Sequence, residues 1–186
     1  MLNRARSLAI TRLGILGASL FLALPTASAA QSASAFADTA PAFDPMKFFT
    51  GHTRSWGVLE NRGGEATQRI LTETWGRMVG GELRMEQDLF IGTKPRSHRS
   101  WRIRRSDAHR FEATANDVIG TARGEARGNT FIWSFTLATK PGNPLFNVRM
   151  TQHMYLQPGG RTMINRDTIR KFGVVLAGVT EQFRRE

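Results

Sequence analysis

The sequence predicts an all-β protein, an antiparallel up-and-down meander that closes into a small β-barrel and carries one short N-terminal helix. Three observations predict this. Apolar residues recur every second position through most of the chain, the repeat of strands with one face in a core and one in water. Clusters of Gly, Pro, Asn and Asp interrupt that repeat at short intervals, so consecutive strands are joined by tight turns. No long helical period intervenes, which leaves about nine or ten strands whose economical arrangement is a barrel or a strongly curled sheet.

Before that domain the chain has a different grammar. Arg4, Arg6 and Arg12 give a positive segment with no acidic neighbour, an apolar run over 13–24 follows, and Pro25 breaks it. Ala27-Ser28-Ala29 then offers the small residues a signal peptidase requires. This order predicts a cleaved secretory signal peptide over 1–29, because an apolar core of about a dozen residues is too short to span a bilayer. The expected location is therefore the periplasm, and nothing in the segment separates that from full secretion. Residues 30–42 are rich in Ala, Ser and Thr and are expected to be a flexible linker. The barrel domain is expected over 43–186, about 140 residues, enough for one core.

The only convincing helix is short. Asp44 is placed to cap it and Pro45 to occupy its first position, so residues 44–49 can form one turn and set Phe48 and Phe49 as a plug at one barrel end. Strand patterning follows. Leu83, Met85 and Leu89 alternate with Glu82, Arg84, Glu86 and Asp88; Trp101 and Ile103 alternate with Arg102 and Arg104. Phe131, Trp133, Phe135 and Leu137 share one face, with Ile132 the exception on the other. The next apolar set is Phe146, Val148, Met150, Met154 and Leu156. Turn signals fall at Asn61-Arg62-Gly63-Gly64, Gly80-Gly81, Ser106-Asp107, Arg127-Gly128-Asn129, Pro141-Gly142-Asn143-Pro144 and Pro158-Gly159-Gly160. One strip is unusual for a core: Ala113, Ala115, Gly120, Ala122, Gly124 and Ala126 put tiny side chains on consecutive strands. Small inward residues leave a void for a ligand, or else glycines there relieve sharp bends, and the pattern fits both.

Composition narrows the chemistry. There is no cysteine, which excludes disulfides, thiolate metal sites, a cysteine nucleophile and a lipid-modified N-terminal cysteine. The four histidines lack the spacing of a metal site, so no metal or other cofactor is expected. His153 would be the choice for a haem ligand, but its parity opposite Met150 and Met154 predicts an exposed side chain. Removing the three signal-segment arginines from 26 basic residues leaves 23 against 15 acidic ones, a formal charge of +8. For an exported protein that charge points away from nucleic acid and toward anionic lipid head groups or an acidic ligand.

Several strings occur in an ordered series: Phe48-Phe49-Thr50-Gly51, Trp56-Gly57, Trp101-Arg102-Ile103, Ala115-Asn116-Asp117-Val118-Ile119-Gly120, Gly128-Asn129 with Trp133, Met154-Tyr155-Leu156, Asn165-Arg166 and Lys171-Phe172-Gly173-Val174. Together they resemble the bacterial envelope family known as domain of unknown function 3833, over nearly the whole barrel domain. The resemblance implies a calycin/lipocalin-like barrel with no established activity, and a gene context of fatty-acyl modification that points to envelope lipid metabolism. The chain departs from that pattern at Thr151-Gln152-His153, so roles at those positions are not carried over.

Candidate site residues follow from strand parity and turn position. Trp101, Trp133 and Met154 lie on apolar faces and either line a pocket or fill the core. Arg99 and Arg105 share parity with Trp101 and can turn inward toward a carboxylate or phosphate. Arg96, Arg99, Arg102, Arg104, Arg105 and Arg110 crowd one hairpin, either as a membrane-facing basic patch or as a solvated tip. Asn116 and Asp117, and likewise Asn129, either orient a ligand or cap their own turns. Asn165 and Lys171 stand near the end of the meander, where Lys171 can close a pocket mouth or simply end a strand.

No catalytic motif is present: there is no nucleophile elbow, no phosphate-cradling loop before a helix and no paired acidic motif. The leading expectation is a barrel that binds or carries a small hydrophobic, lipid-like ligand. Two others stand beside it: a barrel enzyme acting on a modified lipid with Asp117 or Lys171 as acid or base, and an accessory protein docking on an anionic membrane or envelope partner through the 96–110 hairpin.

Overall fold

The computed structural model describes residues 32–186. The expected signal peptide, 1–29, lies outside the described residues. Ten antiparallel strands follow in chain order: β1 Gly51–Asn61, β2 Ala66–Val79, β3 Glu82–Ile91, β4 Ser97–Arg105, β5 Arg110–Ala115, β6 Val118–Arg127, β7 Thr130–Ala138, β8 Asn147–Leu156, β9 Thr162–Lys171 and β10 Val174–Arg185. Each pairs with its sequence neighbours, and β1 also pairs with β10 from Thr53↔Arg185 to Asn61↔Ala177. The sheet is thus a closed up-and-down barrel with no free edge left to recruit another strand. Among the described residues no helix is long and apolar enough to cross a membrane.

Helix α1, Pro45–Phe48, precedes β1. Asp44 accepts hydrogen bonds from the Met46 and Lys47 amides, and Pro45 at the first helical position has no N–H to leave unsatisfied. This turn drives Phe43, Met46, Phe48 and Phe49 into one end of the barrel, where all four are buried. Edge-to-face ring contacts run from Phe48 to Phe43 and on to Phe131, and from Phe48 through Phe49 to Phe183. Each such aromatic burial contributes about 1.5–3 kcal/mol.

The opposite end is different. Leu83, Ile103, Phe111 and Met163, toward the plug, are at most 2% exposed. Inward-facing Leu59, Leu89, Ile91, Leu137 and Ile169, toward the other end, are only half-buried. An apolar interior that becomes wetter along its axis is a barrel with a floor and a mouth.

Three expectations need correction. Residues 32–42 do not form a loose linker. A 3-10 turn, Ala33–Phe36, lies against β6 and β7, Phe36 packs edge-on to Tyr155, and Thr39 exchanges hydrogen bonds with Asn129. Phe146 is not a member of the β8 inner face, since it ends a 3-10 turn (Pro144–Phe146) and stands 46% exposed. The small-residue strip does not create the void. Ala113, Ala122 and Ala126 are buried, but a Cβ on Gly124 would come within 2.5 Å of the Phe131 ring. The small residues make room for Phe111, Phe131 and Trp133, so volume is conserved locally and the free space lies elsewhere. Gly120, at a φ of +71° within a register shift of the β6–β7 ladder, serves the bend.

Candidate functional site

The free space lies between the aromatic cluster and the mouth. It amounts to about 170 Å3, lined chiefly by inward residues of β1–β4 and β7–β10. Toward the mouth its walls are Leu59, Ile91, Leu137 and Ile169; deeper, Trp101 and Trp133 meet with ring centroids 4.7 Å apart. Met154 is buried beside them.

The polar groups in this wall are ordered into chains. Trp133 Nε1 donates to Gln152 Oε1 at 2.6 Å, and Gln152 Nε2 donates to Asp167 Oδ2 at 2.8 Å. Trp101 Nε1 donates to Gln87 Oε1 at 2.7 Å, and Gln87 Nε2 reaches Thr74 Oγ1 at 3.1 Å. Glu181 accepts from Ser55 and Thr72 at Oε1 and from Asn165 at Oε2, at 3.0, 3.4 and 3.3 Å. Its cross-strand partner is Gly57, where a Cβ would come within 2.5 Å of the Glu181 side chain. Glycine there is what lets the Glu181 side chain lie inside the wall.

Asp167 and Glu181 are the buried carboxylates among the described residues. Glu181 has both oxygens satisfied, whereas Asp167 Oδ1 and Asn165 Oδ1 are buried without a hydrogen-bond partner. Burial, reinforced by the Glu181 charge, pushes the Asp167 carboxyl up to about 8 against the pull of hydrogen bonds from Gln152 and Asn165 and of the Arg99 charge. Burial also raises Glu181, opposed by its hydrogen bonds from Ser55, Asn165 and Thr72. The cause is simple: ionising either group strips hydration that the surrounding wall does not replace. Arg99, the one basic residue in the cavity wall, does not neutralise them fully. Its Nε is held by both Asp117 oxygens at 2.8 and 2.9 Å, and its guanidinium lies over Trp101 and Phe135. The arrangement offers an apolar slot with a buried acid, held toward its neutral form, in its wall.

Of the residues singled out from sequence, Trp101, Trp133, Arg99, Met154 and Asn165 are brought together in the interior. Asp117 and Asn116 form the two-residue β5–β6 turn: Asp117 holds Arg99, and Asn116 bonds the Ser100 amide and the His98 carbonyl. Asn129 is at the plugged end, bonded to Thr39 and the Leu156 carbonyl, away from the cavity. Lys171 is outside on the rim, its ammonium over Phe146 and Phe172. The six arginines are dispersed along the barrel. Arg96 pairs with Asp88, Arg104 with Glu112, Arg105 with the helix cap Asp44 and Arg110 with Asp107. Arg105 therefore does not enter the interior.

Gln87, Gln152, Asp167 and Glu181 are polar groups of the cavity wall that the sequence reading did not name as site residues. Their signal was present as parity: Asp167 is in phase with Met163 and Ile169, and Glu181 with Val179 and Phe183. A charge in phase with the apolar face of a strand is costly unless it has a use or a partner.

A family model described as Protein of unknown function (DUF3833) matches residues 22–185. Among solved structures, an S-type phycobiliprotein lyase from Guillardia theta is similar, with a TM-score of 0.57 and 8% identity over 76% of this chain and 90% of that one. At that identity the likeness is one of fold, a calycin-like barrel. Nothing among curated proteins matches the chain.

Proposed function

The chain belongs to the family described as Protein of unknown function (DUF3833), and from that premise we propose that it is an exported barrel binding a small amphipathic ligand of the fatty-acyl or lipid class. The apolar part of the ligand fills the slot below Leu59, Leu137 and Ile169, and a hydroxyl or carbonyl oxygen at its inner end accepts from the neutral Asp167 carboxyl. The observation that carries this reading is an apolar cavity whose wall holds a buried acid, Asp167, with Oδ1 lacking a hydrogen-bond partner. A hydrogen-bond partner there satisfies a group that otherwise costs about 1–3 kcal/mol to bury. The volume supports a modest occupant, since a cavity of about 150 Å3 admits benzene. A ring or short chain fits within, and a longer chain continues out through the mouth.

The phycobiliprotein lyase supports ligand binding through shared architecture alone, because 8% identity transfers no residue. A second reading has one observation in its favour. A carboxylic acid that keeps its proton to about pH 8 at the edge of a cavity is suited to general-acid work, and Asp167 takes that role in place of Asp117 and Lys171.

Native mass spectrometry of the protein purified from an envelope extract, followed by identification of the released compound, tests the binding reading. One reproducible compound is expected, lost from Leu137→Trp, which fills the slot, and weakened in Asp167→Ala. A bare polypeptide mass, or an adduct indifferent to Leu137→Trp, refutes it. Turnover of that compound by wild type but not by Asp167→Asn establishes the second reading; release unchanged dismisses it.

A further inference from the structure

The mouth rim carries apolar side chains that the fold does not bury. Phe172 is 86% exposed, Leu145 68% and Phe146 46%. They lie on two neighbouring connections at the open end, β7–β8 and β9–β10. Neither connection is loose. In the first, Asn143 N closes a turn onto Lys140 O at 3.1 Å, Asn143 caps the 3-10 turn at Leu145 N, and Thr139 Oγ1 bonds Phe146 O. In the second, Phe172 and Gly173 both have positive φ, +49° and +81°, the conformation of a tight two-residue hairpin turn. Asn, Asp or Gly suits its first position, and an aromatic residue there is strained. The chain accepts that strain to hold a phenyl ring in solvent.

The two connections and the strand ends that flank them carry charge of one sign. From 136 to 151 and from 168 to 180 there are four cations, Lys140, Arg149, Arg170 and Lys171, and no Asp or Glu. The ammonium groups of Lys140 and Lys171 lie 5.3 and 5.4 Å from the Phe146 ring, one beside each connection. Aromatic and aliphatic tips held out of a fold and ringed by lysine match the interface of an anionic bilayer, where rings enter the acyl boundary and cations stay with the head groups.

We infer that the rim formed by 139–146 and 171–174 docks the barrel, mouth first, on an anionic phospholipid bilayer. This does not depend on what occupies the cavity, and it places the slot where a lipid-derived ligand can pass without crossing water. The surface is distinct from the arginine hairpin, most of whose cations are already paired.

Vesicle co-sedimentation of the purified protein tests it, using phosphatidylcholine alone or mixed with phosphatidylglycerol. Partition onto the mixed vesicles is expected, falling with added salt. Lys140→Gln with Lys171→Gln lowers it on the order of twentyfold, at roughly fivefold per cation. Leu145→Ser with Phe172→Asn lowers it by at least tenfold while thermal unfolding shows the fold intact, since Asn suits the strained turn position. Arg102→Gln with Arg104→Gln leaves it unchanged. Absence of partition, equal partition on neutral vesicles, or loss through the Arg102 and Arg104 pair but not the rim overturns the inference.

Discussion

Asp167→Asn separates the cost of the buried acid from the shape of its site. The native carboxyl titrates at about 8 against 3.8 for the ordinary side chain. Between those values the folded protein keeps a proton that the unfolded chain has released. Because the native state binds more protons, raising the pH through this window favours unfolding, by about 1.4 kcal/mol per pH unit. Between pH 5 and pH 7 Asp167 alone therefore removes up to about 3 kcal/mol of stability. Below about pH 4 the acid is neutral in both states and the effect vanishes. Asparagine has the same shape and never ionises, so the variant lacks this slope while Glu181, also raised, keeps its own share in both proteins. Urea unfolding of wild type and variant at pH 5, 6 and 7, with equal m-values required, measures the difference. The variant is expected to gain about 2–3 kcal/mol relative to wild type across that range. Parallel pH profiles would falsify the argument, because they mean that Asp167 is already ionised in the folded protein at pH 5.

Three other outcomes follow from named contacts. Gly124→Ala, whose Cβ meets the Phe131 ring at 2.5 Å, is expected to cost about 1–3 kcal/mol in chemical denaturation, and a neutral result would mean the aromatic cluster has slack. Arg99→Lys loses the Nε donor to both Asp117 oxygens and the stacking over Trp101, so a loss of about 1–2 kcal/mol with altered tryptophan emission is expected, and unchanged emission would count against it. In an NMR titration His98 should protonate at higher pH than His153. Hydrogen bonds to Asp88 and Glu86 raise the first and burial lowers the second, so the reverse order would contradict both environments.

Much of the fold was legible because each local signal agreed with the global one. Asp44 and Pro45 announce the helix that brings the Phe48 and Phe49 plug, and Phe131, Trp133, Phe135 and Leu137 announce an inner face. The site was legible only where polarity and parity agreed. Trp101, Trp133, Arg99, Met154 and Asn165 lie in the interior, whereas Asp117, read as a ligand-orienting group, an acid or base, or a turn cap, is the clamp on Arg99. Of the two places open to Lys171, mouth closure or a strand end, it takes the second, as the last residue of β9 with its ammonium over Phe146 and Phe172 on the outer rim. The strip of small residues promised a cavity, and the aromatic rings packed opposite consumed it.

By itself the sequence determined the meander of strands and turns and the inner faces that carry unbroken apolar alternation, because alternation and turn chemistry are short-range properties of the chain. It also presented the apparent signal segment that motivates export. Only the tertiary structure decided where the interior stays unfilled, since that depends on which large and small side chains meet across non-neighbouring strands. It alone set Asp167 beside Gln152 and Asn165 and within reach of the Glu181 charge. Burial and pairing are sums over contacts from the whole barrel, and no window of sequence contains them.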